Sequence, residues 1–213
     1  MVLQLRNEKE VTGFYISGHP LDDYRFTIDR YCNIEIANLK SKLKELKDQN
    51  VMFAGMVTDS SQKMSKKGTQ FGIFVVEDFT GDIDLMLFSE DYLKKKHLLE
   101  EGNNVFIIGK VEERYKQPGN YSIRVNDVFL LSEAMNKLSQ KITLKFKATD
   151  ITADFSKKLQ AIVNSNAGKC KLELKIEDES GKILTMHASN SEVEPRLFIH
   201  EIVKYENIGF SIS

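Results

Sequence analysis

Between residues 51 and 131 the apolar residues recur with period two, and one helical stretch interrupts them. "VMFAGMVTD", "FGIFVVED" and "DIDLMLFS" read as three half-buried strands. "EDYLKKKHLLEEG" follows with helical spacing, Ser89 expected as its cap and Gly102 as its stop. "NVFIIGKVEE" and "YSIRVNDVFLL" then resume the strand pattern. Few architectures accept three strands, a helix and two more strands in so short a span. The OB-fold does, a five-stranded barrel with its helix between the third and fourth strands. Gly55 and Gly109 fall inside strands, where a small barrel has to bend sharply. Polar connections are expected at "SSQKMSKKGT", at "TG" and at "RYKQPGN".

The flanks have other periods. Residues 1–50 read as helical and connecting. Leu21, Tyr24, Ile28 and Tyr31 stand at helical spacing behind Pro20, and Leu39, Leu43 and Leu46 form the stripe of a second, lysine-rich helix. Residues 132–140, "SEAMNKLSQ", carry no strand pattern and are expected to link two domains. Beyond them "KITLKFKA", "TADFSKKLQAIVNSNAG", "CKLELKIEDE", "KILTMHAS", "EVEPRLFIHEIVKYE" and "IGFSIS" alternate between the periods, with Gly168 expected to stop the first helix. The expected fold is therefore an all-β OB-fold barrel (β-β-β-α-β-β, residues 51–131). Helical segments (1–50) precede it, and after the linker (132–140) comes a small α+β domain (β-α-β-β-α-β, residues 141–213).

Composition narrows the function classes. With 41% hydrophobic and 29% charged residues the chain is globular. No apolar run is long enough for a membrane span, and "MVLQLRNEKEVTG" lacks the features of a signal peptide, so a cytoplasmic protein is expected. Cys32 and Cys170 cannot build a disulfide framework, and no Cys or His pair has zinc spacing, so neither a metal nor a cofactor is expected. The net charge of −1 requires any nucleic acid to be held by a local patch.

Local patches exist. An OB-fold grips single strands with basic loops and stacking aromatics. Lys63, Lys66 and Lys67 surround Gly68 in the first loop, and Arg114, Tyr115 and Lys116 occupy the loop between the last two strands. Phe71 and Phe74 lie on opposite faces of strand two, so at most one is expected to stack, and Arg124 is expected to face outward from strand five. Phe53, Phe88, Phe106 and Phe129 are read as core. Against a nucleic-acid role stands the balance of residues 52–130, ten Lys or Arg against twelve Asp or Glu. In the last helix Phe198 is expected as a surplus, exposed aromatic for a protein partner, with Tyr205 near it, while Ile199, Ile202 and Val203 form the packed stripe.

Residues 13–24, "GFYISGHPLDDY", place Ser17 near His19, Asp22 and Asp23. His-Pro forces His19 out of the helical region and Gly18 permits an unusual backbone angle, so the segment is read as a turn into a helix. It also carries a resemblance. With the pattern that follows it, "EKEVTGFYISGHPLDDY" resembles the C-terminal region of the bacterial replicative DNA polymerase III alpha subunit family, strongly over residues 8–131 and by position beyond. The resemblance implies a non-catalytic region. Its OB domain would bind single-stranded template DNA and its C-terminal domain would dock to the clamp-loader tau subunit, with the sliding clamp bound nearby. Residues 1–213 show no clear clamp-binding motif of glutamine and aromatics and no acidic palm domain for two magnesium ions, so no polymerase activity is expected of them. Two alternatives remain open at this point. One is a pure protein-interaction module. The other is an anticodon-binding OB domain of a class II aminoacyl-tRNA synthetase.

Overall fold

Five antiparallel strands form one sheet in the order β3-β2-β1-β4-β5: β1 (Asn50–Met64), β2 (Gln70–Glu77), β3 (Asp82–Phe88), β4 (Asn104–Glu113) and β5 (Tyr121–Leu130). The computed structural model describes residues 18–66 and 68–213, and the chain divides into two units between Ala134 and Met135. In the N-terminal unit the outer strands β3 and β5 meet, which curls the sheet around an apolar interior. Phe53, Phe74, Val76, Leu85, Leu99 and Ile107 are among the residues that fill it. A Cβ at Gly55 would stand 2.5 Å from the Glu77 carbonyl oxygen, and one at Gly109 2.7 Å from Ile123, so both strands bend where no side chain fits.

The alternation in β3 is complete: Ile83, Leu85 and Leu87 point inward and Asp82, Asp84, Met86 and Phe88 outward. Strand β1 runs further than expected. Gln62, Lys63 and Met64 pair with Gly72, Phe71 and Gln70, so the first half of the polar stretch expected as a loop is hairpin strand. Backbone pairing extends a strand past the end of its apolar pattern. Helix α3 (Ser89–Lys95) carries Tyr92 onto Gly72, where a Cβ would collide with the ring, and the Tyr92 hydroxyl donates to Gln62 Oε1 at 3.2 Å. Ser89 does not cap α3. It is the first residue of the helix, at φ +52°, behind the extended Phe88. Nor does Gly102 stop that helix, which ends earlier; its N–H donates to the Val57 carbonyl at 2.8 Å and brings the chain back to β1.

The segment before the barrel is pinned to it by polar contacts. It contains α1 (Arg25–Tyr31) and α2 (Ile36–Ser41), the latter shorter than its leucine stripe implies because turns replace helix after Lys42. Asn33 pairs with the backbone of Met52 through both its own N–H and its side-chain oxygen. Asp78, at the start of the β2–β3 turn, accepts from the N–H groups of Thr80 and Gly81, from the Thr80 hydroxyl and from the Ile36 N–H at the start of α2. One carboxylate thus closes a turn and caps a helix 42 residues distant in the chain. Leu21 is fully buried, and Asn104 Nδ2 donates to the Pro20 carbonyl at 3.4 Å.

The stretch expected to link the domains is largely helical, as a short turn at Leu131–Glu133 and α4 (Ala134–Leu138). Beyond it lie β6 (Lys141–Lys147), α5 (Ala153–Ser165), β7 (Ala167–Glu177), β8 (Ile183–Val193), α6 (Pro195–Ile202) and β9 (Gly209–Ile212). The four strands order as β8-β7-β6-β9, with β6 and β7 parallel across the α5 connection and the other pairs antiparallel. Gly168 is inside β7 and does not stop α5; Asn166 caps that helix, its side-chain amide donating to the Ile162 carbonyl at 2.8 Å. Phe198 requires a second correction. It is fully buried together with Pro195, Ile199 and Ile202, whereas Leu197 and Val203 are the exposed apolar residues here. Pro195 at the first turn sets the phase of α6, and at helical spacing that phase turns Phe198 into the core. Tyr205 is half-buried beyond the helix.

Candidate nucleic-acid interface

Strand register assembles an outer face across β1, β2 and β3. Asp59, Val75 and Asp84 form its first row, Ser61, Ile73 and Met86 the second, and Lys63, Phe71 and Phe88 the third. The third row borders the β1–β2 loop. In it the Phe71 and Phe88 rings stack with centroids 5.5 Å apart and planes 25° from parallel, and Phe88 is 57% exposed. Met86, one row away, is also exposed. The result is an aromatic and thioether surface with a lysine at its edge, the combination on which bases stack while a cation meets phosphate.

Sequence reasoning found part of this face. Lys63 and Lys66 are exposed, and Lys67 lies outside the described residues. Phe71 is half-buried on the outer face. Phe74 is fully buried inside the barrel and takes no part, since alternation lets β2 show only one of the two. Phe88 is the residue that was missed. It is expected in the core, and the structure corrects this: the alternation that carries Asp82 and Asp84 outward carries Phe88 outward too. Arg114, Tyr115 and Lys116 are all exposed in the β4–β5 loop, Tyr115 at 86%, with Lys116 Nζ 5.3 Å from the Tyr115 ring centroid. The loop is held by a hydrogen bond of 2.7 Å from the Gly119 N–H to Glu113 Oε1, which, ahead of the nearby Lys47, keeps that carboxyl below its ordinary range. Arg124 faces outward as expected, but its guanidinium pairs with Glu112 at 3.6 Å. Helix α3 is less of a cationic face than its lysines suggest. Lys95 bonds Asp127 and the Val128 carbonyl, and Lys94 pairs with Glu90.

His19 and Asp22 work as a turn. The His19 N–H donates to Asp22 Oδ2 at 2.7 Å and the Leu21 N–H to His19 Nδ1 at 3.2 Å, while the His19 ring and the Arg25 guanidinium both approach Phe79 at 4.3 Å. That hydrogen bond, then Arg25, holds the Asp22 carboxyl below its ordinary value. Ser17 lies outside the described residues. Among the described residues no group of three or more His, Cys, Asp or Glu is placed to hold a metal ion, and no helix is long and apolar enough to cross a membrane.

A family model described as an OB-fold nucleic acid binding domain matches residues 51–131. Three curated relatives are each a DNA polymerase III subunit alpha. That of Pseudomonas aeruginosa is 27% identical over 90% of this chain and 16% of its own length. That of Aquifex aeolicus is 32% identical over 76% of this chain and 14% of its own length. That of Borreliella burgdorferi is 37% identical over 49% of this chain and 9% of its own length. The chain therefore spans about one-sixth or less of each of these relatives. Likeness that runs on both sides of the OB-fold, joined to a nucleic-acid-binding family match on the barrel itself, shows this chain to be a relative of the C-terminal, OB-fold-bearing region of the bacterial DNA polymerase III alpha subunit.

Proposed function

We propose that the N-terminal unit holds single-stranded template DNA on the outer face of β1, β2 and β3, as a non-catalytic part of a cytoplasmic replicative polymerase. The observation that carries this reading is the Phe71–Phe88 stack, with Phe88 exposed, in register with Lys63. One base stacks on Phe88, Lys63 and Lys66 meet the phosphates beside it, and Arg114, Tyr115 and Lys116 provide a second cationic and aromatic contact. Nucleotide addition belongs to other parts of the polymerase. The C-terminal unit would dock the clamp-loader tau subunit, and the sliding clamp nearby, as the resemblance implies. With Phe198 in the core, a protein partner would meet Leu197 and Val203 instead.

Fluorescence anisotropy of a labelled oligothymidylate tests the DNA reading. Base–aromatic stacking is worth about 1–3 kcal/mol per base, so Phe88→Ala should weaken binding roughly tenfold or more while the barrel stays folded. Unchanged affinity would remove Phe88 from the interface. Absence of any binding at low salt would favour the second reading, a protein-interaction module, which the excess of acidic over basic residues in the barrel supports.

A further inference from the structure

The C-terminal sheet has a second face, opposite the one that packs on α5. Ile142, Leu144, Phe146 and Leu172 are buried on the helix side, where Phe155 of α5 meets Phe146 edge-on at 5.2 Å and α5 contacts α6. By alternation the opposite face carries Lys141, Lys145 and Lys147 of β6 and Lys171 and Lys175 of β7, against Glu173 and Glu177 of β7 and Glu192 of β8, the last beside Lys171. In a chain whose net charge is −1, this is a concentrated positive surface.

The parallel register sets like charge against like: Lys141 opposite Lys171, and Lys145 opposite Lys175. Like charges directly opposite on neighbouring strands destabilise a sheet. At the first pair the structure supplies a counter-charge, because buried Glu173 accepts from Lys141 Nζ at 3.0 Å and from the Thr143 hydroxyl, with His187 at 3.6 Å. At the second the counter-charge is the same Glu173 carboxylate, which Lys175 reaches through space without an ion pair. The flanking strands offer Gly209 beside Lys145 and Thr185 beside Lys175, and neither lysine forms an ion pair among the described residues. A hollow of ≈ 510 Å³ opens beside Lys145, Lys147 and Lys175, with Asp150 and Glu177 also on its wall.

We propose that this second face contacts the phosphate backbone of duplex DNA, with Lys145 and Lys175 at its centre. The outward positions of β6 and β7 and the described outward positions of β8 carry no Phe or Tyr; His187 and Ile183 stand on the β8 side, and the centre of the face around Lys145 and Lys175 is dominated by charge. That is the chemistry of backbone contact, which is blind to sequence and indifferent to whether bases are paired. The same chain carries an OB-fold nucleic acid binding domain, so a strand held there raises the concentration of adjoining duplex at the sheet.

The test uses the whole chain and a labelled blunt-ended DNA duplex, whose paired bases cannot stack on Phe88. Lys145→Gln combined with Lys175→Gln should weaken duplex binding and lower the magnitude of the log–log salt slope by about 2, from ~0.9 per duplex phosphate contact. Arginine at both positions should keep the slope. Phe88→Ala should leave duplex binding unchanged and affect only the oligothymidylate, so failure of one site is read separately from failure of the other. The proposal is overturned if the unaltered chain ignores the duplex, if the glutamine pair leaves affinity and slope as they were, or if the glutamine pair loses binding of poly-glutamate and not of duplex. That last result would assign the face to an acidic protein segment.

Discussion

Phe198 fills the C-terminal core from α6 with no exposed surface, so its truncation to alanine should cost about 3–5 kcal/mol of stability, the range for a buried phenylalanine. Urea denaturation would measure it, with Leu197→Ala, at an exposed position one residue away, as a control expected within about 0.5 kcal/mol of the unaltered chain. A stable F198A would mean that α6 is rotated from the phase Pro195 sets. The same reasoning explains why two aromatics were misplaced from sequence. In "RLFIHEIVKYE" two stripes compete, and only the helix start at Pro195 decides between them. In "DIDLMLF" the alternation was legible, but the size and apolarity of Phe88 outweighed it. The polar contacts around His19 were beyond sequence reading, because they depend on which atoms a turn brings within reach. Charges are set locally in the same way. Burial, then the Asp78 and Asp29 carboxylates, pushes the Cys32 thiol up to about 12, which leaves it protonated and inert at neutral pH. Asp22 is shifted the other way, below its ordinary value, by the His19 N–H and then by Arg25. Its contribution to the turn is therefore present above the ordinary aspartate range and is lost as pH falls through the depressed value.

Between elements, the contact with most at stake is Asp78. Its carboxylate accepts four hydrogen bonds, one of them from the first residue of α2. Asp78→Ala would take that acceptor from the buried Ile36 N–H and the partly buried Thr80 and Gly81 donors, at a cost of about 1–3 kcal/mol. Hydrogen exchange should show Ile36 and Ala37 losing protection first, since Thr80, whose hydroxyl accepts from the Ala37 N–H at 3.1 Å, is itself held by Asp78. Protection unchanged at both amides would show that packing of Ile36 and Leu39 alone holds the segment. Among elements, what could be read in advance was whatever rests on apolar periodicity: the strand-rich OB-fold of residues 51–131 and its helix. What could not be read rests on backbone pairing and capping. The extra strand residues Ser60, Ser61, Gln62 and Lys63 are polar, and they are strand only because β2 lies beside them. Asn166, and not Gly168, ends α5 because its amide reaches back to a carbonyl that no pattern of apolar residues marks.

For the whole molecule the deciding quantity is where charge lies, since its sum is close to zero. The barrel residues 52–130 carry more acids than bases, so the average field of this unit does not attract DNA. Binding must come from a few local cations. Several of the others are already engaged: Arg124 by Glu112, Lys110 by Asp48, Lys94 by Glu90 and Lys95 by Asp127. Lys63, Lys66, Lys96, Arg114 and Lys116 are among those that remain, and if about three of them meet phosphate the strand makes about three such contacts. At ~0.7 released counterions per contact on a single strand, the log–log salt slope for oligothymidylate should be about −2. A titration of anisotropy against salt measures it directly, and Phe88→Ala should lower affinity at every salt concentration without changing the slope, because stacking releases no counterions. A slope near −5 would require cations beyond the barrel to touch the single strand. A slope near zero would mean that the exposed aromatics hold the strand alone and that the basic loops only keep the surface solvated.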